Sequence, residues 1–254
     1  MCKADGIRVK SAATTFEVID ALKSLEQPDL SEITEYLDVP KSSVYDYLST
    51  LIELELVIKE DEGYRLGARF LEYGGYIREQ MKVYHLARPA VNRLADKTGG
   101  HANLMVEEHG LGIFLYKAKG ENAVNLDTHP GMRVPLQTTA LGKTILAHMT
   151  EEKVREVVEK HGLPEVTNRT ITDYDTLLAE LDRVRDQEYA TDDEERVEGM
   201  RCVAAPVLDQ NDDVIAAVSV SGPVSRMDGE HFEDNIPRRV LSAANVIEVN
   251  MTYS

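Results

Sequence analysis

The sequence has few cysteines and no long apolar segment. Its two cysteines, Cys2 and Cys202, lie far apart in 254 residues, which provides neither a disulfide framework nor the paired spacing of a metal site. No run of about 18 apolar residues is present, so no membrane span is expected. The opening residues MCKADGIRVK lack the apolar core of a signal peptide. These absences predict a cytoplasmic protein that needs no metal and no cofactor.

Basic residues are also scarce relative to acidic ones. The chain carries 28 Lys and Arg against 45 Asp and Glu, a formal charge of −17, and its 16 arginines outnumber its 12 lysines. The acidic excess is spread along the chain instead of being gathered in a tail. Such a surface is typical of proteins that stay soluble in molar salt, which favours a halophilic cytoplasm. The length favours two domains, and a hydrophobic fraction of 43% is enough for their cores.

The stretch PKSSVYDYLSTL at 40–51 has an exposed side that suits contact with another molecule. Its apolar residues Val44, Tyr47, Leu48 and Leu51 recur at i, i+3, i+4 and i+7, which predicts one buried stripe of a helix. Pro40 fits the first turn. The other side carries short hydrogen-bonding side chains and one tyrosine, and such a face is suited to the major groove of DNA.

The flanking segments predict a winged helix. A helix over 11–25 is followed by LSEITEYL, where Ser31 is the expected N-cap, and a tight turn leads into the stretch at 40–51. Short strands at 56–59 and 64–66 then form a hairpin in which Gly63 can take a left-handed turn position. We interpret residues 1–66 as a winged helix-turn-helix DNA-binding domain. A small helical docking module is the alternative.

Nine residues are candidates for contact with DNA. Those expected near base edges or phosphates are Ser42, Ser43, Tyr45, Ser49 and Thr50, and those expected on the DNA backbone are Lys41, Lys59 and Arg65. Asp46 either accepts a hydrogen bond from a cytosine amino group or is a solvated charge, and the sequence leaves both open. Residues 1–66 hold seven basic and fourteen acidic residues, whereas DNA-binding domains normally show a basic patch. The alternative that this segment does not bind DNA therefore stays open.

The remaining sequence predicts a linker helix and an α+β domain. Leu66, Phe70, Tyr73 and Ile77 have the spacing of a helix that packs on another helix, so 67–83 is expected to be a linker helix, with a bend at Gly74-Gly75. Residues 84–254 are expected to combine helices with antiparallel hairpins. The helices are predicted at 84–99, 139–149, 151–161, 174–187 and 229–250, and the hairpins around His109-Gly110 and between 201–208 and 214–221.

Small side chains in this domain suggest a ligand pocket. Ala217, Ser219 and Ser221 share one face of a strand, as do Cys202 and Ala204, because side chains alternate along a strand. Thr139 is the expected N-cap of the helix ALGKTILAHM, whose first N–H groups, on Ala140 and Leu141, would attract a carboxylate or a phosphate. Asp192, in the polar loop TDDEE, could bind hydroxyl groups of a ligand. Arg201 should face away from Cys202, and Lys143 is expected to be solvated.

Several segments, in order and over nearly the whole chain, resemble the IclR family of bacterial and archaeal transcriptional regulators, here of a haloarchaeal type. They are VPKSSVYDYLSTL at 39–51, GYRLG at 63–67, RVPLQTTALGKTILAHM at 133–149, EYATDDEERVEGMRCVAAPVLD at 188–209 and AAVSVSGPVSRM at 216–227. The chain departs from the family at Asp46, where a basic residue is common, so a phosphate or guanine contact there is in doubt.

This resemblance implies a homo-oligomer, a dimer or a dimer of dimers, whose linker helix supports dimerisation and whose C-terminal domain is GAF-like and binds a small-molecule effector. The residues that match the family's effector pocket are Ala140, Leu141, Asp192, Cys202, Ser219 and Ser221. A dimer would bind a near-palindromic double-stranded DNA operator with half-sites about 34–36 Å apart. The expected effector is a sugar-derived or organic acid.

The sequence has two alternative functional interpretations. An enzyme with Cys202 as nucleophile and a histidine as base is disfavoured because no recognised nucleophile motif surrounds Cys202. A ligand sensor that acts through protein contacts, with a vestigial DNA-binding domain, is consistent with the acidic N-terminal segment. The absence of a DNA footprint would favour the sensor.

Overall fold

The computed structural model describes residues 6–253, so Cys2 lies outside the described part of the chain. Contacts between residues divide the chain into two compact units, and the boundary along the chain falls between Ile77 and Arg78. The first unit contains three helices, a two-stranded antiparallel hairpin and most of a fourth helix. Their bounds are α1 Lys10–Ser24, α2 Leu30–Leu37, α3 Lys41–Glu53, β1 Val57–Lys59, β2 Tyr64–Leu66 and α4 Arg69–Gln80. This arrangement is the predicted winged helix-turn-helix.

The core of the first unit follows the predicted helical stripes. Val44, Leu48 and Leu51 of α3 are buried against Val18 of α1 and Ile33 of α2. Each helix therefore contributes one apolar face and leaves the opposite face to solvent.

Two local predictions in this unit were wrong. The N-cap of α2 is Asp29 and not Ser31: the Asp29 carboxylate accepts the N–H groups of Ser31 and Glu32, and the Asp29 N–H donates to the Glu32 carboxylate. This reciprocal capping box begins the helix at Leu30. Gly63 does not take a left-handed conformation. A Cβ there would lie 2.2 Å from the Gln27 carbonyl oxygen, so the hairpin needs glycine for a close backbone approach.

The predicted bend at Gly74-Gly75 was also misplaced. Helix α4 runs through both glycines, and the interruption falls at Met81, which has extended backbone angles and precedes α5 (Lys82–Thr98). A glycine lowers helix propensity without removing a hydrogen bond. The exposed Gly74 and the half-buried Gly75 therefore weaken α4 but do not end it.

The second unit is an α+β domain built on one antiparallel sheet. After α5, its elements are β3 His101–Glu108, β4 Leu111–Lys119, β5 Arg133–Pro135, α6 Ala140–Ala147, α7 Glu151–His161, α8 Tyr174–Gln187, β6 Ala190–Asp193, β7 Met200–Leu208, β8 Val214–Pro223 and α9 Ile236–Thr252. The strand order is β5-β4-β3-β8-β7-β6, and each neighbouring pair is antiparallel. The predicted helices and hairpins are present, and most of their ends shift by at most two residues. The exception is the terminal helix predicted at 229–250: a π-helical turn, His231–Asn235, precedes α9, which begins at Ile236.

The two faces of this sheet carry separate cores. Helices α5 and α9 pack on the face that holds Val203 and Val218, whereas α6 and α8 pack on the face that holds Ala204 and Ala217. This difference follows from the alternation of large and small side chains along β7 and β8. Over residues 6–253, no helix has the length and apolar character to cross a membrane.

Candidate nucleic-acid interface and effector cavity

The polar face of α3 is open to solvent within the first unit. Tyr45 has 54% of its surface exposed, and Lys41, Ser42, Asp46 and Thr50 are also exposed. Ser43 and Ser49 are half-buried at the edges of this face. Together these residues form a surface of hydroxyl groups, one aromatic ring and one charge of each sign, with the shape and chemistry that a DNA groove accepts.

The two basic residues predicted in the wing differ in availability. Lys59 is exposed, and its ammonium lies 5.9 Å from the centre of the Tyr64 ring. Arg65 pairs with Glu60 at 2.5 Å between Nε and Oε1. A phosphate contact by Arg65 would therefore have to share or displace a carboxylate. Lys41 is held near the start of α2, since its ammonium donates to the Ser31 hydroxyl at 3.1 Å.

A narrow cavity in the second unit lies on the sheet face that carries α6. Its volume is about 40 Å³, which holds a few water molecules, so a larger ligand would have to widen it. Five of the six residues predicted for the effector line it, namely Leu141, Asp192, Cys202, Ser219 and Ser221, whereas Ala140 is buried and is not part of the lining. Strand register brings them together: Cys202 is paired with Ser221 on one side and with Asp192 on the other.

One end of the cavity is formed by the start of α6. Thr139 caps this helix as predicted, because its hydroxyl accepts the Gly142 N–H at 2.9 Å. The first N–H groups of a helix have no partner within it and carry partial positive charge. Thr139 and Leu141 both line the cavity, so an anion in it would lie near this helix terminus.

Asp192 is buried at the base of the cavity. One of its oxygens accepts the Glu195 N–H at 2.8 Å, so it also caps a turn, the structural role that the sequence left open. Burial, together with the nearby charge of Glu195, raises the pKa of the Asp192 carboxyl to about 7. The protonated carboxyl is therefore accessible near neutral pH and can donate a hydrogen bond.

Lys143 is not the solvated residue that the sequence predicted. Only 1% of its side chain is exposed, and its ammonium lies 2.6 Å from Glu195 and 3.0 Å from Glu180. The prediction was wrong because every residue of α6 is buried, so this helix has no solvated face. The cluster joins α6 to α8 and to the segment after β6.

The Arg201 guanidinium pairs with Asp193 and donates to the Met227 carbonyl oxygen, as expected for a side chain that faces away from Cys202. Arg201 nevertheless forms part of the cavity lining, from which the sequence reasoning had excluded it. Sequence reasoning did not name three polar residues of the lining, Asn103, Thr128 and Arg196. Asn103 could have been found, because it is the one polar residue in the apolar run ANLMV at 102–106. Arg196 gave no such signal, since it stands in a charged stretch. Across residues 6–253, no cluster of three or more His, Cys, Asp or Glu side chains could hold a metal ion.

A winged helix joined to a separate domain that has a cavity with several polar side chains in its lining defines a class of DNA-binding proteins that respond to a ligand. Comparison with known families gives the particular one. The family model for the IclR helix-turn-helix domain matches residues 11–61, and the model for the bacterial transcriptional regulator IclR C-terminal domain matches residues 76–249. The chain belongs to the IclR family of transcriptional regulators.

Individual relatives agree with this assignment. The chain is 35% identical to the probable HTH-type transcriptional regulator ArcR of Halobacterium salinarum, over 96% of this chain and 94% of that protein. It is 30% identical to the HTH-type transcriptional regulator KdgR of Escherichia coli, over 96% and 94%. Among solved structures it resembles the Thermotoga maritima IclR, with a TM-score of 0.75 and 29% identity over 96% of this chain and 99% of that one.

Proposed function

We propose that the protein binds a near-palindromic double-stranded DNA operator as a homo-oligomer in the cytoplasm, and that a small sugar-derived or organic acid in the cavity changes its affinity for that operator. The DNA contacts are the exposed face of α3 with Lys59 and Arg65. The proposed domains are the DNA-binding domain at 1–66, the linker helix at 67–83 and the effector-binding domain at 84–254. The observation that carries the proposal is the cavity, where five residues from distant parts of the sequence surround one space.

An acidic effector is favoured by the chemistry of the lining. The start of α6 offers N–H groups to an anion, and Ser219, Ser221 and the protonated form of Asp192 can donate to its oxygens. For binding to regulate DNA affinity, the effector must bind two conformations of the protein unequally. By the same linkage, operator DNA must then change the affinity for the effector.

An enzyme built on Cys202 is disfavoured by the environment of its thiol. Burial raises the pKa of this thiol, and the nearby Asp192 raises it further. The thiolate, which is the reactive form, is therefore suppressed. The relatives described above are transcriptional regulators, and regulation without catalysis is the function that we adopt.

Footprinting in molar KCl on the DNA upstream of the protein's own gene tests the proposal. We expect two protected half-sites about 34–36 Å apart, related by a near-palindrome. No protected palindrome at any salt concentration would instead favour the ligand sensor with a vestigial DNA-binding domain. The acidic composition of residues 1–66 is the observation that keeps this second candidate in view.

Operator affinity should depend weakly on salt. An ordinary complex loses affinity with a slope of about −0.9 in log K against log salt for each phosphate contact. Here carboxylates such as Glu60 and Asp46 would take up cations when they approach DNA, and this uptake offsets the counterions that DNA releases. We expect a total slope shallower than about −2 between moderate and molar KCl, measured by fluorescence anisotropy. A slope typical of six or more phosphate contacts would contradict this account.

A further inference from the structure

Arg196 is a largely buried cation in the cavity lining without a close anionic partner. Its side chain is 14% exposed. The guanidinium donates to the Thr128 hydroxyl at 3.2 Å and contacts the Met132 sulfur at 3.4 Å, and it lies 5.6 Å from the centre of the Phe114 ring. These partners are all neutral, so they position the guanidinium without balancing its charge.

Within residues 6–253, Asp127 is the only carboxylate within 4.0 Å of this guanidinium, at 3.8 Å, and it is 69% exposed. A solvated carboxylate at that distance is a weak partner. Buried cations are normally paired with an anion, and guanidinium binds carboxylate through two parallel hydrogen bonds. The position of Arg196 is thus suited to an anion that enters the cavity.

Asn103 provides a hydrogen-bond acceptor in the same cavity. Its side chain is almost fully buried in β3, and its amide nitrogen donates to the Ser219 hydroxyl at 3.3 Å. Its amide oxygen has no hydrogen-bond partner within the described residues. Buried acceptors without a donor are rare and costly. A ligand hydroxyl is the simplest donor that would satisfy this oxygen.

Among the charged side chains that line the cavity, Arg196 is the cation available to an anion. Arg201, the other arginine in the lining, is committed to Asp193. Lys143 lies outside the lining and is paired with Glu180 and Glu195.

We propose that Arg196 binds the carboxylate of the effector and that Asn103 accepts a hydrogen bond from a hydroxyl of the same molecule, so that the two side chains select hydroxy acids. This inference rests on the proposed role of the cavity as the effector site. It adds two residues to that site and gives each a chemical group to recognise. Neutral polyols would lack the partner for Arg196, and plain carboxylic acids would lack the partner for Asn103.

Calorimetric titration of the full chain in molar KCl tests this selection. The probes form three matched sets, each with a hydroxy acid, the plain acid and the neutral alcohol: glycerate, propionate and glycerol; gluconate, hexanoate and glucitol; 4-hydroxybenzoate, benzoate and phenol. In at least one set the hydroxy acid should bind about fivefold more tightly than the plain acid, since one neutral hydrogen bond separates them. The neutral alcohol of that set should bind at least about tenfold more weakly than the hydroxy acid.

Two variants test whether Arg196 and Asn103 cause the preference for hydroxy acids. Arg196→Met should weaken binding of the hydroxy acid about 30-fold, whereas the matched control Arg133→Met should not, because Arg133 is exposed on β5 and lies outside the lining. Asn103→Leu should weaken the hydroxy acid about fivefold and leave the plain acid unchanged. Melting temperatures and operator binding of each variant show whether the fold is intact.

Three results would overturn the assignment: equal binding of the acid by Arg196→Met and the unmodified protein, preference for a neutral alcohol in every set, or no binding of any of the nine compounds. None of these affects the footprint, which tests the proposed function separately. If the footprint is absent while the hydroxy acid binds through Arg196 and Asn103, DNA regulation fails and the ligand assignment stands.

Discussion

Replacing Lys143 with methionine should lower the free energy of unfolding of the C-terminal unit by about 3–5 kcal/mol, the usual cost of removing one partner from a buried ion pair. Glu195 would be left almost without solvent and without its cation, which now lies 2.6 Å away. Glu180 would be affected less, because Arg183 also contacts it at 2.9 Å. Urea denaturation followed by circular dichroism in KCl measures the change.

The control for this experiment is Lys153→Met on the exposed surface of α7, which should change the stability by less than about 0.5 kcal/mol. The combination of Lys143→Met with Glu195→Gln should recover part of the loss, since it removes the uncompensated charge as well. Two results would show that the cluster does not stabilise the unit. One is a free energy of unfolding for Lys143→Met within about 1 kcal/mol of that of the original protein, and the other is no recovery of stability in the double variant.

Asp192→Asn should make the protein less sensitive to pH between about 4 and 7. Burial, with the charge of Glu195, raises the pKa of Asp192 from 3.8 to about 7, so the folded state holds this proton more tightly than the unfolded state does. Below the pKa that Asp192 has in the unfolded state, the group therefore does not lower the free energy of unfolding. As pH rises from there, the burial of its charge destabilises the folded state increasingly, and this loss is complete above the pKa of the folded state. Asparagine keeps the oxygen that accepts the Glu195 N–H and has no charge to bury.

The expected gain in stability for Asp192→Asn is near zero at pH 4 and about 2–4 kcal/mol at pH 8. The quantity to compare is the difference between variant and original protein at each pH, measured by urea denaturation. Carboxyls that do not interact with Asp192 contribute equally to the stability of both proteins, so this difference cancels their contributions. A difference that does not vary with pH would refute the raised pKa of Asp192.

Local periodicity predicted most of the fold. The spacing of Val44, Leu48 and Leu51 defined the buried side of α3, and the Thr139 cap marked the start of α6. The turn at His109-Gly110 was also predictable, because both residues have positive φ, at 57° and 85°, as a two-residue hairpin turn requires. The small residues of β7 and β8 indicated which sheet face had room for a ligand. Each of these signals lies within a few residues of sequence.

The errors and omissions arose from long-range contacts. Lys143 contacts carboxylates 37 and 52 residues away, so its own segment gave no sign that it would be buried. Arg196 is positioned by Thr128, which lies 68 residues before it. Gly63 is required because the backbone near Gln27 comes close. Interactions of this kind depend on how the elements pack, which one sequence without its fold does not specify.

The central claim is that the exposed face of α3 reads operator DNA, and anisotropy titration of a labelled upstream duplex with Tyr45→Ala tests it most directly. Tyr36→Ala is a matched control, because Tyr36 on α2 is 55% exposed and Tyr45 is 54% exposed. We predict that Tyr45→Ala weakens operator binding by about tenfold, within the range of about 1–3 kcal/mol for a base-reading side chain, while Tyr36→Ala stays close to the original protein. Equal affinities for all three proteins would contradict the account.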